Sequence, residues 1–392
     1  MSDQVSPELL ARCAELKEEL VQFGCSARFS KALDARRRAA EAEHGGRRRL
    51  DEHETITLID RFIHQERQED GRTVLEAFVA VQRDLSADER AMLLGWGDVL
   101  DGCFEVRRTE SEPPETVLHN LFDGLDYRAY ATRGPSTFDV LDEGTFVLGR
   151  LVPLAPLADA WLVSGHLAVF EAGARQVIAQ GALQALTQDP RLMRHNPALW
   201  ERGWELQAQA RANFVELYGE GMGILDPADA KQALETHFQL MIGKAAARGE
   251  ESPSVAPKEA GFLPDEVMAA DSIALVYDEI EGLVVCAGVR RLDELFADPA
   301  GSKDRAGLNL LGDCLRADTV PPVVFRHLVQ RNPEGAQAAF RALLGKSGFT
   351  WERDGEKLLR RYKPAHFDVL PAPTFPVVSP RLQELLEPVR GF

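Results

Sequence analysis

The chain has 392 residues, of which 45% are apolar and 27% charged, with 31 glycines and 22 prolines. That is ordinary globular composition for roughly two to four domains, and it excludes collagen-like and low-complexity chains. The formal net charge of −17 argues against a surface that grips phosphates everywhere and favours an acidic, cytoplasmic protein.

The opening run MSDQVSPELLARCAELKEEL has no basic stretch followed by an apolar one, so no secretory leader is expected. No stretch of about 18 apolar residues occurs, so no membrane partner is expected either. Cys13, Cys25, Cys103, Cys286 and Cys314 stand far apart with no C-x-x-C pair. They read as free, mostly buried thiols, not as a zinc ribbon or a redox motif.

Apolar spacing predicts a helix over 6–23 (Leu9, Cys13, Leu16, Leu20), another over 27–43, a third from about Glu54 (Ile56, Ile59, Phe62, Ile63) and a fourth holding Val74, Leu75, Phe78 and Val81. Ser86 and Glu89 form a capping box that opens a fifth. From Asp98 the pattern changes. Five short β-type runs follow, near 104–106, 116–122, 125–132, 145–154 and 161–170, with nothing helical between them. Asp123-Gly124 reads as a type I′ hairpin turn. A small antiparallel β-barrel or curled sheet closes such a set.

Helical spacing returns over 174–186 and 197–218, and Asp226-Pro227 caps a further helix. Residues 248–264 read as a linker, charged and without periodicity. Beyond it the pattern predicts strands over 273–277 and 283–286 around a turn at 278–282, then helices from Arg291, Pro322 and Pro333. It also predicts a turn at Asp354-Gly355 and a Pro-rich tail. The expected fold class is α+β, mostly helical. Its expected divisions are a helical N-terminal unit over 1–97, a small antiparallel β unit over 98–171, a helical unit over 172–247, the linker, and a C-terminal α+β unit over 265–392.

Candidate chemistry fails at required positions. Gly345-Lys346-Ser347 lacks the first phosphate-loop glycine, because Phe340 stands there, and reads as a helix end. Gly219-Glu-Gly221-Met-Gly223 has Ile224 where a dinucleotide fingerprint needs glycine, and reads as a flexible connection. His53, Asp60 and His64 lie seven and four residues apart and share one face of a predicted helix. That is metal-ligand spacing, but it suits a polar face equally. Ser164 and His166 point to the same side of a predicted strand, with no nucleophile elbow around them. The carboxylates between Asp98 and Glu143 sit mostly at predicted turns.

The basic residues are uneven. Between Arg28 and Arg49 stand eight basic and three acidic residues. Arg36, Arg37, Arg38 and Arg47, Arg48, Arg49 form two clusters able to bind a polyanion, or to pair with the chain's own acidic surface.

The runs WGDVLDGCFEV from Trp96 to Val106, after a serine-capped helix, and NLFDGLDYR from Asn120 to Arg128 resemble a helix-plus-small-sheet segment of uncharacterised bacterial proteins. Some of those carry a C-terminal SEC-C metal-binding motif. The resemblance spans about residues 70–240. The motif's zinc ligands are absent here, so it implies neither a metal nor a catalytic residue.

The reading that follows is a non-catalytic binding or interaction protein, without cofactor or metal, that takes a protein partner or self-associates. One alternative is an enzyme whose site is assembled from dispersed His, Asp and Glu residues. Another is a nucleic-acid or polyanion binder that uses the two arginine clusters.

Overall fold

The computed structural model describes residues 5–43, 49–111, 114–132, 138–247, 263–298, 300–367 and 369–387. Its architecture is mostly helical α+β, with two sheets. Two compact units form, Met1–Leu199 with Val377–Phe392, and Trp200–Pro376.

The first unit opens with α1 (Pro7–Gly24), α2 (Ser30–Glu43), α3 (Glu52–His64), α4 (Val74–Val81) and α5 (Ala87–Gly95). Their starts are fixed by side chains. Ser6 caps α1, and three capping boxes, Asp51 with Glu54, Thr73 with Glu76 and Ser86 with Glu89, open α3, α4 and α5. The apolar stripes then meet in one core built on Leu16, Leu20, Phe62, Phe78 and Trp96.

Five strands follow: β1 (Leu100–Ser111), β2 (Pro114–Asn120), β3 (Asp126–Tyr130), β4 (Phe146–Pro153) and β5 (Trp161–Phe170). They close into a barrel in the order β1-β2-β3-β5-β4. The expected wholly antiparallel arrangement is corrected at one seam, because β3 and β5 run parallel. Strand directions cannot alternate around a ring of five, so one pair must be parallel. The barrel core holds Phe104, Leu118, Val147 and Leu151, while Val152, Leu154 and Leu162 face the helical core. The first-unit helices and the barrel therefore share apolar surface.

The hairpin between β2 and β3 is not type I′. Only Gly124 has positive φ, at 71°. Asp123 instead buries its carboxylate, which accepts from Asn120 Nδ2 (2.9 Å), Leu125 N (3.0 Å) and Tyr127 OH (2.7 Å). This is the local side-chain bonding that aspartate offers a turn. The unit ends with α6 (Arg175–Gln188) and the start of α7 (Pro197–Tyr218). It is rejoined by α15 (Pro380–Leu386), where Arg381 forks onto Glu105 of β1 at 2.7 and 2.8 Å.

The second unit contains β6 (Met222–Leu225), α8 (Pro227–Ala247), α9 (Asp265–Met268), β7 (Ile273–Asp278), β8 (Gly282–Ala287), α10 (Arg290–Ala297), α11 (Arg305–Arg316), α12 (Pro322–Arg331), α13 (Pro333–Leu344) and α14 (Trp351–Tyr362). The glycine-rich run before Asp226 is no loose connection, because Met222–Leu225 pairs with β7 as a third strand. The turn expected at Asp354-Gly355 is also corrected, since both residues lie inside α14. A Cβ at Gly355 would stand 2.7 Å from the Trp351 ring, so the glycine admits the indole and does not break the helix. Gly345 ends α13 in the left-handed region, φ 62°. Residues 248–262 of the expected linker lie outside the described residues. Among the described residues no helix is long and apolar enough to cross a membrane.

Candidate functional site

Three adjacent barrel strands set one row of polar side chains side by side. Register pairs Asp101 of β1 with Arg150 of β4, and Arg150 with Ser164 of β5. Next to this row β5 is irregular: its pairing with β4 shifts between Leu148 and Arg150, and Gly165 takes φ 78°. A bulge of this kind re-aims side chains. Helix α3 lies against β5 at this point, with the Asp60 side chain near Gly165.

Asp60 is the hub. Its Oδ1 accepts the Ser164 hydroxyl at 2.5 Å, and Oδ2 lies 2.7 Å from Arg150 Nη1. His64 Nε2 stands 3.5 Å and Lys17 Nζ 3.9 Å from Oδ1. Lys17, from α1, donates to Ser164 Oγ at 2.5 Å and lies 5.7 Å from the Trp96 ring centroid. Arg150 also reaches Gln65 Oε1 at 2.5 Å and Asp101 Oδ1 at 3.1 Å. Asp60, His64, Arg150 and Ser164 are all buried.

Burial by itself would raise the Asp60 carboxyl, but Lys17, His64 and Arg150 outweigh it and hold the group below the usual carboxylate range. Burial pushes the His64 imidazole down, as do the Lys17 and Arg150 charges, against the pull of Asp60. At neutral pH the clamp is an ionised carboxylate between two cations and a neutral imidazole.

This arrangement does not prepare Ser164 for nucleophilic attack. The hydroxyl proton points at a carboxylate too weakly basic to take it. Lys17 donates to the hydroxyl and so is not the base of a serine–lysine pair. Ser164 itself has no exposed surface. What the geometry does well is tie α1, α3 and the barrel together through charge-assisted bonds.

Above the clamp lies a cavity of about 610 Å³. Its floor includes Lys17 and Asp60, whose side chains are 14% and 7% exposed. Its walls are mostly apolar: Ala14 and Val21 from α1, Ile56 and Ile59 from α3, and Ala131 and Val163 from the barrel, with Thr132 beside Ala131. Glu15, Glu18 and Gln22 stand at its exposed edge.

The sequence-selected residues fall into place unevenly. His53, Asp60 and His64 do share one face of α3. His53 stacks on His166 at 3.6 Å between ring centroids, and Asp60 meets Ser164. No group of three or more metal-ligating side chains converges among the described residues. Lys17 and Arg150 carried no signal, because they reach the site from α1 and β4 and only tertiary pairing brings them there; Asp101 was one of the sheet-region carboxylates, but nothing in its spacing tied it to Asp60.

The arginine clusters lie elsewhere. Arg36 of α2 reaches Glu66 Oε1 at 2.8 Å and Glu43 Oε1 at 3.7 Å. Arg37 meets Asp34 at 3.1 Å, and Arg38 and Arg49 are exposed. Arg47 and Arg48 lie outside the described residues. The carboxylates of the sheet region disperse: Asp98 meets Arg194, Glu105 meets Arg381, and Asp126 meets His119. Cys13 and Cys103 are buried, and burial pushes both thiols up to about 12, which leaves them inert at neutral pH.

Among protein-family models, curated proteins and solved structures, none matches the chain.

Proposed function

We propose that the chain is a non-catalytic binding protein that receives a small molecule with an apolar body in the cavity between α1, α3 and the barrel. The observation that carries this reading is the cavity itself. About 610 Å³ falls inside the range of roughly 300–1,000 Å³ typical of small-molecule sites, which are mostly apolar with a few placed polar groups. The locked state of Ser164 supports binding over acyl transfer. The ion pairs of Arg36 and Arg37 within the chain speak for structural use of that cluster over polyanion capture.

The test is a fluorescence titration with N-phenylnaphthylamine, an uncharged probe that brightens in apolar surroundings. Saturable binding by the wild-type chain, lost in Ala14→Phe and Ile56→Trp variants that fill the cavity and still unfold cooperatively, is the expected result. Equal brightening in wild type and filled variants would place the probe elsewhere and refute the reading.

A further inference from the structure

We propose that the cavity selects hydrophobic cations, an aromatic or alkyl ammonium whose apolar body lies inside and whose charge sits at the rim. This rests on the binding function proposed above and names its ligand class. The rim residue Glu15 has a side chain 64% exposed, and Arg12, its ionic neighbour at 3.2 Å, is also engaged by Glu89 at 2.8 Å. Glu18, one turn of α1 from Glu15 and Gln22, is met by the neutral Gln22 amide, which donates to Glu18 Oε1 at 3.1 Å. Two carboxylates thus border the mouth: Glu15 shares its guanidinium with Glu89, and Glu18 is met by a neutral amide.

The floor does not invite an anion. Its one cation, Lys17, already donates to Ser164 and stands 3.9 Å from Asp60, and Asp60 stays ionised. An anionic head reaching Lys17 would meet the Asp60 charge at once, after passing Glu15 and Glu18. An ammonium at the rim keeps part of its hydration, gains from both carboxylates, and leaves Ile56, Ile59, Val21 and Val163 to cover the hydrocarbon. The net charge of −17 steers in the same direction.

Three probes of one shape separate the claims: naphthylmethylammonium, naphthalenemethanol and naphthoate, titrated against the full chain by calorimetry at low and physiological salt. The expected order is cation, then neutral, then anion. The cation should lead the neutral probe by about tenfold at low salt, and its lead should shrink with added salt. In a Glu15→Gln/Glu18→Gln variant, changed only at exposed positions, that lead should disappear.

Binding of the neutral probe with no advantage for the cation overturns the selectivity and leaves the binding function standing. A cation lead that survives in the double variant overturns the rim assignment. No binding by any of the three refutes both.

Discussion

Asp60 gathers a hydroxyl, a guanidinium, an imidazole and an ammonium around one carboxylate away from water. Buried ion pairs contribute little against an apolar alternative, but removing one partner strands the other. Asp60→Asn keeps the shape and removes the charge beside Arg150, so urea unfolding should show a loss of about 3 kcal/mol. Because the Asp60 carboxyl is held low in the fold, its contribution is present above the ordinary carboxylate value and fades as the pH falls through the folded one. His237 behaves as the basic counterpart. It is buried among the Phe214, Phe238 and Tyr277 rings, neither ring nitrogen has a hydrogen-bond partner among the described residues, and burial lowers its pKa to about 4. The unfolded chain takes up that proton first as pH falls below the ordinary 6.5, so stability declines from there down to about 4. His237→Phe should remove this slope and raise stability at pH 5 by about 2 kcal/mol, read from unfolding curves at pH 5 and 7.5. At this scale the sequence disclosed His53, Asp60, His64, Ser164 and His166 as candidates, because helical and strand periods set them on shared faces. It could not disclose that a lysine from α1 and an arginine from β4 meet there.

The elements themselves were largely legible. Apolar spacing, with one capping box at Ser86, located α1 to α5, and short β-type runs located the five barrel strands, because those signals are local. The misreadings arose where tertiary pairing or packing decided the outcome, as at the parallel β3–β5 seam. Gly355 looks like a turn and instead gives room to Trp351 inside a helix. Met222–Leu225 is too short and irregular to show alternation, and only its pairing with β7 makes it a strand. Gly335 makes the same point from the first turn of α13: a methyl group there would overlap the carbonyl oxygen of Phe296 in α10. Gly335→Ala, normally a gain in a helix, should here cost about 2–3 kcal/mol, seen as a lower urea midpoint with an unchanged slope.

For the whole molecule, charge and composition excluded more than they identified. The −17 total coexists with a basic stretch whose Arg36 and Arg37 are already committed to neighbouring carboxylates. Neither composition nor spacing announced a cavity, since its lining comes from α1, α3, β5 and the two residues after β3, which only the fold brings together. The binding proposed for this chain therefore depends on that cavity. Methyl NMR of the isoleucines, recorded as N-phenylnaphthylamine is added, tests it most directly. Ile56 and Ile59 line the cavity, whereas Ile280, 55% exposed in the second unit, serves as an outside reference. Saturable shifts at Ile56 and Ile59 with Ile280 still are the predicted result. Shifts that never saturate, or that appear at Ile280 while Ile56 and Ile59 stay fixed, would contradict the account.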